Sequence, residues 1–336
     1  MLALAAAASL ALSLILYALS GGADFGGGMW DLLALGPRAA RQRTQIAKSI
    51  APIWEANHVW LILVVVVLFT AFPTGFAAMM TALNIPLTAM LIGIVLRGSA
   101  FIFRSYDTRP GAVRRHWSTA FGIASIVTPF LQGAVLGALA TGGIRVVNGQ
   151  VTTGFFAGWV TPFALACGLF ALVLFAFLAA VYLTLDARDQ PDLRGDFRKR
   201  AIWSGAALMP VAGVVFLAAR HGAPALFHGL TRWWAPWLLG ATCLCSLGAL
   251  GALRWRRFAA ARVAAAGQVA LLLIGWSLAQ YPNIVTPDIT VVNACAPGAT
   301  LRLLLLALAA GALVLLPSLI ALFRLFKGAA SHGGAG

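Results

Sequence analysis

Ala51-Pro52-Ile53-Trp54-Glu55-Ala56-Asn57-His58-Val59-Trp60-Leu61 opens a long apolar run and holds Glu55, the single glutamate of the 336-residue chain. A helix needs about 20 residues to cross roughly 30 Å of hydrocarbon, and the stretch Pro52 to Phe72 has that length before Pro73 ends it. It reads as a transmembrane helix with an acid, an amide and an imidazole at its mouth. Ionisable groups in such places are rare and as a rule functional.

Working outward, the same texture recurs. Hydrophobic residues make up 61% of the chain and charged residues 10%, far from the balance of soluble domains. Apolar spans are expected at about Leu2 into the twenties, reaching as far as Leu35, and at Pro52–Phe72, Phe76–Leu96, Trp117–Ala140, Phe155–Leu185, Ala201–Ala219, Ala235–Leu253, Val263–Gln280 and Thr300–Phe323. The fold class is therefore an all-α integral membrane bundle of about nine helices, in which every backbone polar group finds its partner inside a helix. Residues 1–327 form one membrane domain and 328–336 a disordered tail. Leu2 to Leu19 is long enough for a signal peptide but lacks a basic n-region, so it stays as the first span. The connections are too short to fold as a soluble catalytic domain.

A formal net charge of +15 would suit nucleic acid if a soluble basic domain existed, and none does. The bases alternate with the spans instead. Arg38, Arg41, Arg43 and Lys48, then Arg97, Arg104, Arg109, Arg114 and Arg115, then Arg188, Arg194, Arg198, Lys199 and Arg200, then Arg254, Arg256, Arg257 and Arg262, and last Arg324 and Lys327 all fall on one side. Only Arg145, Arg220, Arg232 and Arg302 fall on the other. The positive-inside rule then puts the N-terminus outside, the C-terminus in the cytoplasm, and Glu55 on the cytoplasmic side. Trp233, Trp234 and Trp237 suit the outer membrane–water interface.

The candidate chemistry is carried by few residues. Glu55 and His58 are three apart and share a helix face, so Glu55 reads as a proton acceptor with His58 and Asn57 as relay partners. The alternative is that Glu55 pairs with a nearby arginine, Arg43 or Arg104, to hold the bundle together. Asp24 and Asp31 are seven apart and share a face of the first span. Asp24, beside Gly26-Gly27-Gly28, is either a second acid or a packing element, and Asp31 is either its companion or a solvated interfacial charge. Arg97 and Arg104, again seven apart with aromatics between them, offer bidentate donors for a carboxylate or a propionate, or snorkel to lipid phosphates. The five histidines show no i, i+4 pair inside a span, which argues against direct haem ligation by this chain. Cys167, Cys243, Cys245 and Cys295 form no metal or disulfide framework.

Four motifs together resemble one family. Ala51 to Leu61 fits the pattern G/A-P-x-W-D/E-x-N-x-V-W-L; Asp24 to Met29 fits D-x-G-x-G-M; Arg97 to Arg104 fits R-G-x-A-F-x-F-R; and Tyr281 to Thr290 fits Y-P-x-x-x-P-x-x-T. The chain resembles subunit II of cytochrome bd-type ubiquinol oxidases, and Ala296 to Leu301 with Leu316 to Leu319 is most similar to the cyanide-insensitive branch. The resemblance implies a heterodimer in the bacterial inner membrane with a larger subunit I, which would hold two haems b and haem d, oxidise quinol outside and reduce oxygen to water. This subunit would bind no haem and no metal, stabilise its partner and supply a cytoplasmic proton path. In it Glu55 matches the uptake acid, Asp24, Asn57 and His58 would assist, and Trp54, Trp60, Arg97 and Arg104 would be structural or partner-facing. A structural quinone or lipid, small single-helix accessory subunits and contact with the lipid and quinol pool are compatible with it, and nucleic acid is not. The family often has an acid where this chain has Ile102. A proton-coupled small-solute transporter would also explain buried Glu55, Asp24 and His58; it requires a substrate cavity within this chain alone and inverted repeats, and no repeat is visible.

Overall fold

The computed structural model describes residues 1–51, 54–106 and 112–328. The chain forms a helical bundle around α1 (Leu2–Leu32), whose 31 residues rise about 46 Å. A short amphipathic helix, α2 (Ala39–Ile50), lies at its C-terminal end and turns Gln42, Gln45, Ile46 and Ile50 inward. The chain then returns through α3 (Trp54–Ala71), turns into α4 (Pro73–Ala82), and runs back as α5 (Asn84–Tyr106). The rest of the bundle comprises α6 (Ala112–Thr141), α7 (Pro162–Asp186), α8 (Pro191–Gly222), the short α9 (Pro224–Leu230), α10 (Ala235–Arg254), α11 (Phe258–Gln280) and α12 (Gly298–Gly328). Among the described residues eight helices are long and apolar enough to cross a membrane, and α3 with α4 makes a ninth crossing if that bent pair is one span.

Tight backbone approach explains why α1 sits at the centre. A Cβ added at Gly26 would stand 2.0 Å from the Phe175 carbonyl oxygen of α7, so only glycine lets the two helices touch there. Around that contact Phe25, Phe177, Leu178 and Val181 are buried in a core shared by α1, α7, α8, α10 and α11.

The two ends of the bundle differ in chemistry. At the end where α1 terminates, arginines from neighbouring helices reach the free carbonyls that every helix C-terminus leaves. Arg43 donates to Asp31 O and Ala34 O, and Arg200 to Trp30 O and Leu33 O. Arg194 donates to Thr184 O near the end of α7, and Arg198 to Leu253 O and Arg254 O at the end of α10. The opposite end is closed by α4 and two small antiparallel hairpins. The first joins β1 (Val146–Val147) to β2 (Gln150–Val151), with Asn148 and Gly149 both at positive φ in the turn, the pattern a two-residue hairpin favours. The second, β3 (Asn283–Val285) with β4 (Ile289–Thr290), packs its Ile284 and Ile289 near Gly75 of α4.

Several boundaries depart from the sequence expectation for physical reasons. The segment expected as a basic loop at residues 38–48 is mostly α2, because its apolar and amide groups repeat at helical spacing. The apolar run from Phe76 onward is divided between α4 and α5; the chain bends by 118° between α3 and α4, with Pro73 at the first position of α4, where its missing N–H costs nothing. The span expected at Phe76–Leu96 is accordingly α5, shifted to Asn84–Tyr106, which brings Arg97 and Arg104 inside a helix rather than after it. The span expected from Phe155 begins at Pro162, where Thr161 Oγ caps the Ala164 N–H at 3.2 Å. α8 begins ten residues before the expected Ala201 and takes in Arg194, Arg198, Lys199 and Arg200. Pro52, Ile53, Arg109 and the expected tail from residue 329 lie outside the described residues.

Candidate functional site

The seven-residue spacing of the acids on α1 meets an equal spacing of arginines on α5. The two helices run parallel, so the spacings register as two rungs about 10 Å apart along the bundle. In the deeper rung Arg97 Nη1 donates to Asp24 Oδ2 at 2.7 Å and Nη2 to Oδ1 at 2.5 Å. Nη2 also reaches the Asp24 carbonyl oxygen, and Nε reaches Ser125 Oγ at 3.0 Å. The guanidinium lies between the rings of Phe25 and Phe121, 4.7 and 4.9 Å from their centroids. Both side chains are buried. A planar, delocalised cation suits this place, since it satisfies a carboxylate bidentately while its faces rest on aromatic rings.

In the outer rung Arg104 Nη1 donates to Asp31 Oδ2 at 2.7 Å, and its guanidinium lies 4.7 Å from Phe121 and 5.7 Å from Phe101. Asp31 is 1% exposed. Its other oxygen, Oδ1, is buried and has no hydrogen-bond partner among the described residues.

The mouth of α3 lies beside these rungs. Asn57 is fully buried against Gly21 of α1. Its Oδ1 accepts from Ser20 Oγ at 3.1 Å, and its Nδ2 finds no partner among the described residues. Ser20 is one turn from Asp24 on α1. His58 is half-buried, its ring edge against Trp54 at 6.1 Å, and Trp54 in turn packs on Phe101. Trp60 packs on the core around Tyr17 and Phe25. Glu55 stands in the first turn of α3; its side chain, and with it the expected pairing with Arg43 or Arg104, lies outside the described part of the structure. Among the described residues no hydrogen bond joins His58 or Asn57 to Asp24.

Two expectations are thereby reshaped. Arg97 and Arg104 grip carboxylates of their own chain and do not snorkel to lipid phosphates. Asp31 is buried and ion-paired, not a solvated interfacial charge. Ser20, Ser125 and Phe121 belong to the same polar stripe without having drawn attention in the sequence, since small hydroxyls and aromatics are common in spans. The signal that was available is the matched spacing of seven on α1 and α5.

Farther along the bundle a cavity of about 260 Å3 is lined by residues that include Tyr17, Gln132, Cys167, Phe170, Thr242 and Trp276. Gln132 Nε2 donates to the Tyr17 hydroxyl. The lining is almost wholly apolar and holds no histidine. Among the described residues no group of three His, Cys, Asp or Glu side chains could hold a metal ion.

Residues 2–326 match the family described as cytochrome bd terminal oxidase subunit II. The putative cytochrome bd menaquinol oxidase subunit II of Bacillus subtilis (strain 168) is 23% identical over 322 residues, covering 93% of this chain and 91% of that protein. The cytochrome bd-I ubiquinol oxidase subunit 2 of Escherichia coli (strain K12) is 31% identical over 186 residues, 54% of this chain and 48% of that one. A chain of the bd oxidase structure from Geobacillus thermodenitrificans has the same fold, with a TM-score of 0.77, 23% identity and coverage of 97% and 98%.

Proposed function

Because the chain belongs to the cytochrome bd terminal oxidase subunit II family, and so is a multi-pass inner-membrane subunit of a bd-type quinol oxidase complex, we propose that it supplies that complex with protons from the cytoplasmic face, with Glu55 as the uptake residue. The family implies haems in the complex, and we place all of them, two haems b and haem d, in the partner subunit I. When bound there they carry electrons from quinol to oxygen. The transporter reading loses its footing once a family match runs almost the whole chain.

The observation that carries this reading is the buried polar stripe at the arginine-rich end of α1, α3 and α5. Reducing one oxygen molecule to two waters takes up four protons. If quinol releases its own protons outside while these come from inside, charge separates without a pump. Glu55 begins α3 in a segment shared with a fully buried amide, Asn57, whose N–H has no partner among the described residues and suits an ordered water or a carboxylate. Asn57 orients such a group and Ser20 fixes the amide. His58 flanks the mouth as an auxiliary relay. Asp24, clamped by Arg97, serves as a fixed negative charge that makes the stripe hospitable to a passing proton.

The same reading sets the N-terminus outside and the C-terminus in the cytoplasm, with residues 1–327 as one membrane domain stabilising subunit I. The apolar cavity suits an isoprenoid quinone tail or an acyl chain, and single-helix accessory subunits would add at the lipid-facing helices. The test is Glu55→Gln in the intact complex. Oxygen consumption should fall about tenfold or more while haem absorption stays near normal. Unchanged turnover removes Glu55 from the path, and loss of haem d assigns it to assembly instead.

A further inference from the structure

The two rungs look alike in the sequence, yet their carboxylates are bound in different ways. Asp24 has both oxygens on Arg97, its backbone carbonyl on the same guanidinium, and aromatic rings above and below that cation. A proton arriving there must displace a charge-assisted hydrogen bond, among the strongest in proteins. Among the described residues Asp31 is held through Oδ2 alone, and Oδ1 is buried with no partner there. A buried carboxylate oxygen left open calls for a water or a proton.

We infer that Asp31, and not Asp24, is the second proton-holding acid of the inner mouth. This rests on the uptake reading above, and the experiment below separates the two. Position supports the assignment. Asp31 lies in the last turn of α1 at the arginine-rich end, where water is nearest, whereas Asp24 lies two turns deeper. α5 contributes no carboxylate between Asn84 and Tyr106, so Asp31 is the acid that meets its inner half. Among the described residues the charged groups that surround it are Arg104 from α5, Arg43 from α2 on the Asp31 carbonyl, and Arg200 from α8 on the carbonyls of Trp30 and Leu33. α6 adds the Phe121 ring beneath Arg104. These cations let an ionised carboxylate persist in apolar surroundings.

The step conserves charge and atoms. A protonated water at the inner surface transfers its proton to Oδ1 and leaves as water, giving a neutral carboxyl that keeps its Arg104 contact through Oδ2. The new O–H then passes the proton to water on the way to the first turn of α3, restoring the carboxylate. The route between the two is short in structural terms, because Phe101 lies both beside Arg104 and against Trp54, the residue before Glu55.

The test uses the intact two-subunit complex in its membranes, with quinol oxidase turnover followed from about pH 6 to pH 9 and haem absorption as the gauge of assembly. Asp31→Asn is expected to keep the haem spectrum, to lose turnover about tenfold, and to decline with rising pH earlier than the wild type. Asp31→Glu should restore both rate and profile, which a purely structural role would not require. Wild-type turnover and pH profile in Asp31→Asn overturn the inference. Should that variant fail to assemble, the charge-neutral pair Asp31→Asn with Arg104→Gln decides: a haem-replete but slow complex supports the role, and a haem-replete, fully active one overturns it. If Asp31→Asn is normal while Glu55→Gln is slow, this inference fails and the uptake reading stands. If both are normal, both fail.

Discussion

The Asp24–Arg97 and Asp31–Arg104 rungs use the same residue types, the same two helices and the same spacing, yet they differ in how completely the acid is satisfied. The deeper one has both carboxylate oxygens on its arginine, and the shallower one has an oxygen without a partner among the described residues. Full satisfaction makes a buried ion pair a structural rivet, because breaking it strands a charge. Partial satisfaction leaves room for chemistry. Identical motifs can therefore take separate duties according to the number of donors each meets.

The largest effect expected of a substitution at the rungs is at the deeper one. Arg97→Leu leaves Asp24 buried without its counter-ion and should cost about 3–5 kcal/mol, seen as loss of assembled complex or a large fall in its thermal midpoint. The double variant Asp24→Leu with Arg97→Leu should recover much of that. Arg104→Leu should cost less, since Asp31 loses one bond and has a neighbouring oxygen already open; equal losses at the two rungs would erase the distinction drawn between them.

A smaller effect is expected where α1 is pinned against α7. Gly26→Ala places a methyl 2.0 Å from the Phe175 carbonyl oxygen, so the helices must part, at about 1–3 kcal/mol for overpacking. Because that shift would also disturb the register of Asp24 with Arg97, the thermal midpoint should fall without a change in the pH profile of turnover.

The smallest effect belongs to the exposed pair at the opposite end. The Val146 N–H and then Arg145 hold the Asp288 carboxyl below the usual carboxylate range. A folded-state pKa below the unfolded one, about 3.9, adds stability that is present above that value and is lost as pH falls through the lowered native one. Thermal midpoints of wild type and Asp288→Asn should thus differ slightly at neutral pH and converge in strong acid. Arg145 is 57% exposed, so screening limits the difference to at most about 1 kcal/mol. A large or pH-independent difference would mean that this pair resembles the buried rungs after all.

Much of the fold was legible because a bilayer demands long apolar helices, and composition reports that demand directly. α2 was hidden by its own arginines, which read as a loop between spans although Ile46 and Ile50 repeat at helical spacing. The turn at Pro73 was legible as a stop, but the direction the chain takes after it depends on the hairpins that α4 packs against. Of the site, the acids and arginines could be named from sequence, and their spacing of seven placed each set on one face. Which acid meets which arginine is a matter of how α1 and α5 are aligned, and that alignment is set by glycine contacts with α6 and α7, such as Gly28 against Ser125. Asp31 was misjudged for a related reason: nearness to a span's end suggests water, but Arg43, Arg104 and Arg200 converge on that turn and cover it.

Those same arginines alter how the molecule's formal +15 should be weighed. Arg43, Arg194, Arg198 and Arg200 lie against the carbonyl ends of α1, α7 and α10, each of which carries about half a negative charge, and Arg97 and Arg104 face full carboxylates. The arginine-rich end of the bundle is thus less electropositive than its residue count implies. On the uptake reading proposed above, a proton approaching that end meets a lower barrier than the count of bases suggests, and the bundle can follow the positive-inside rule without repelling what it would admit.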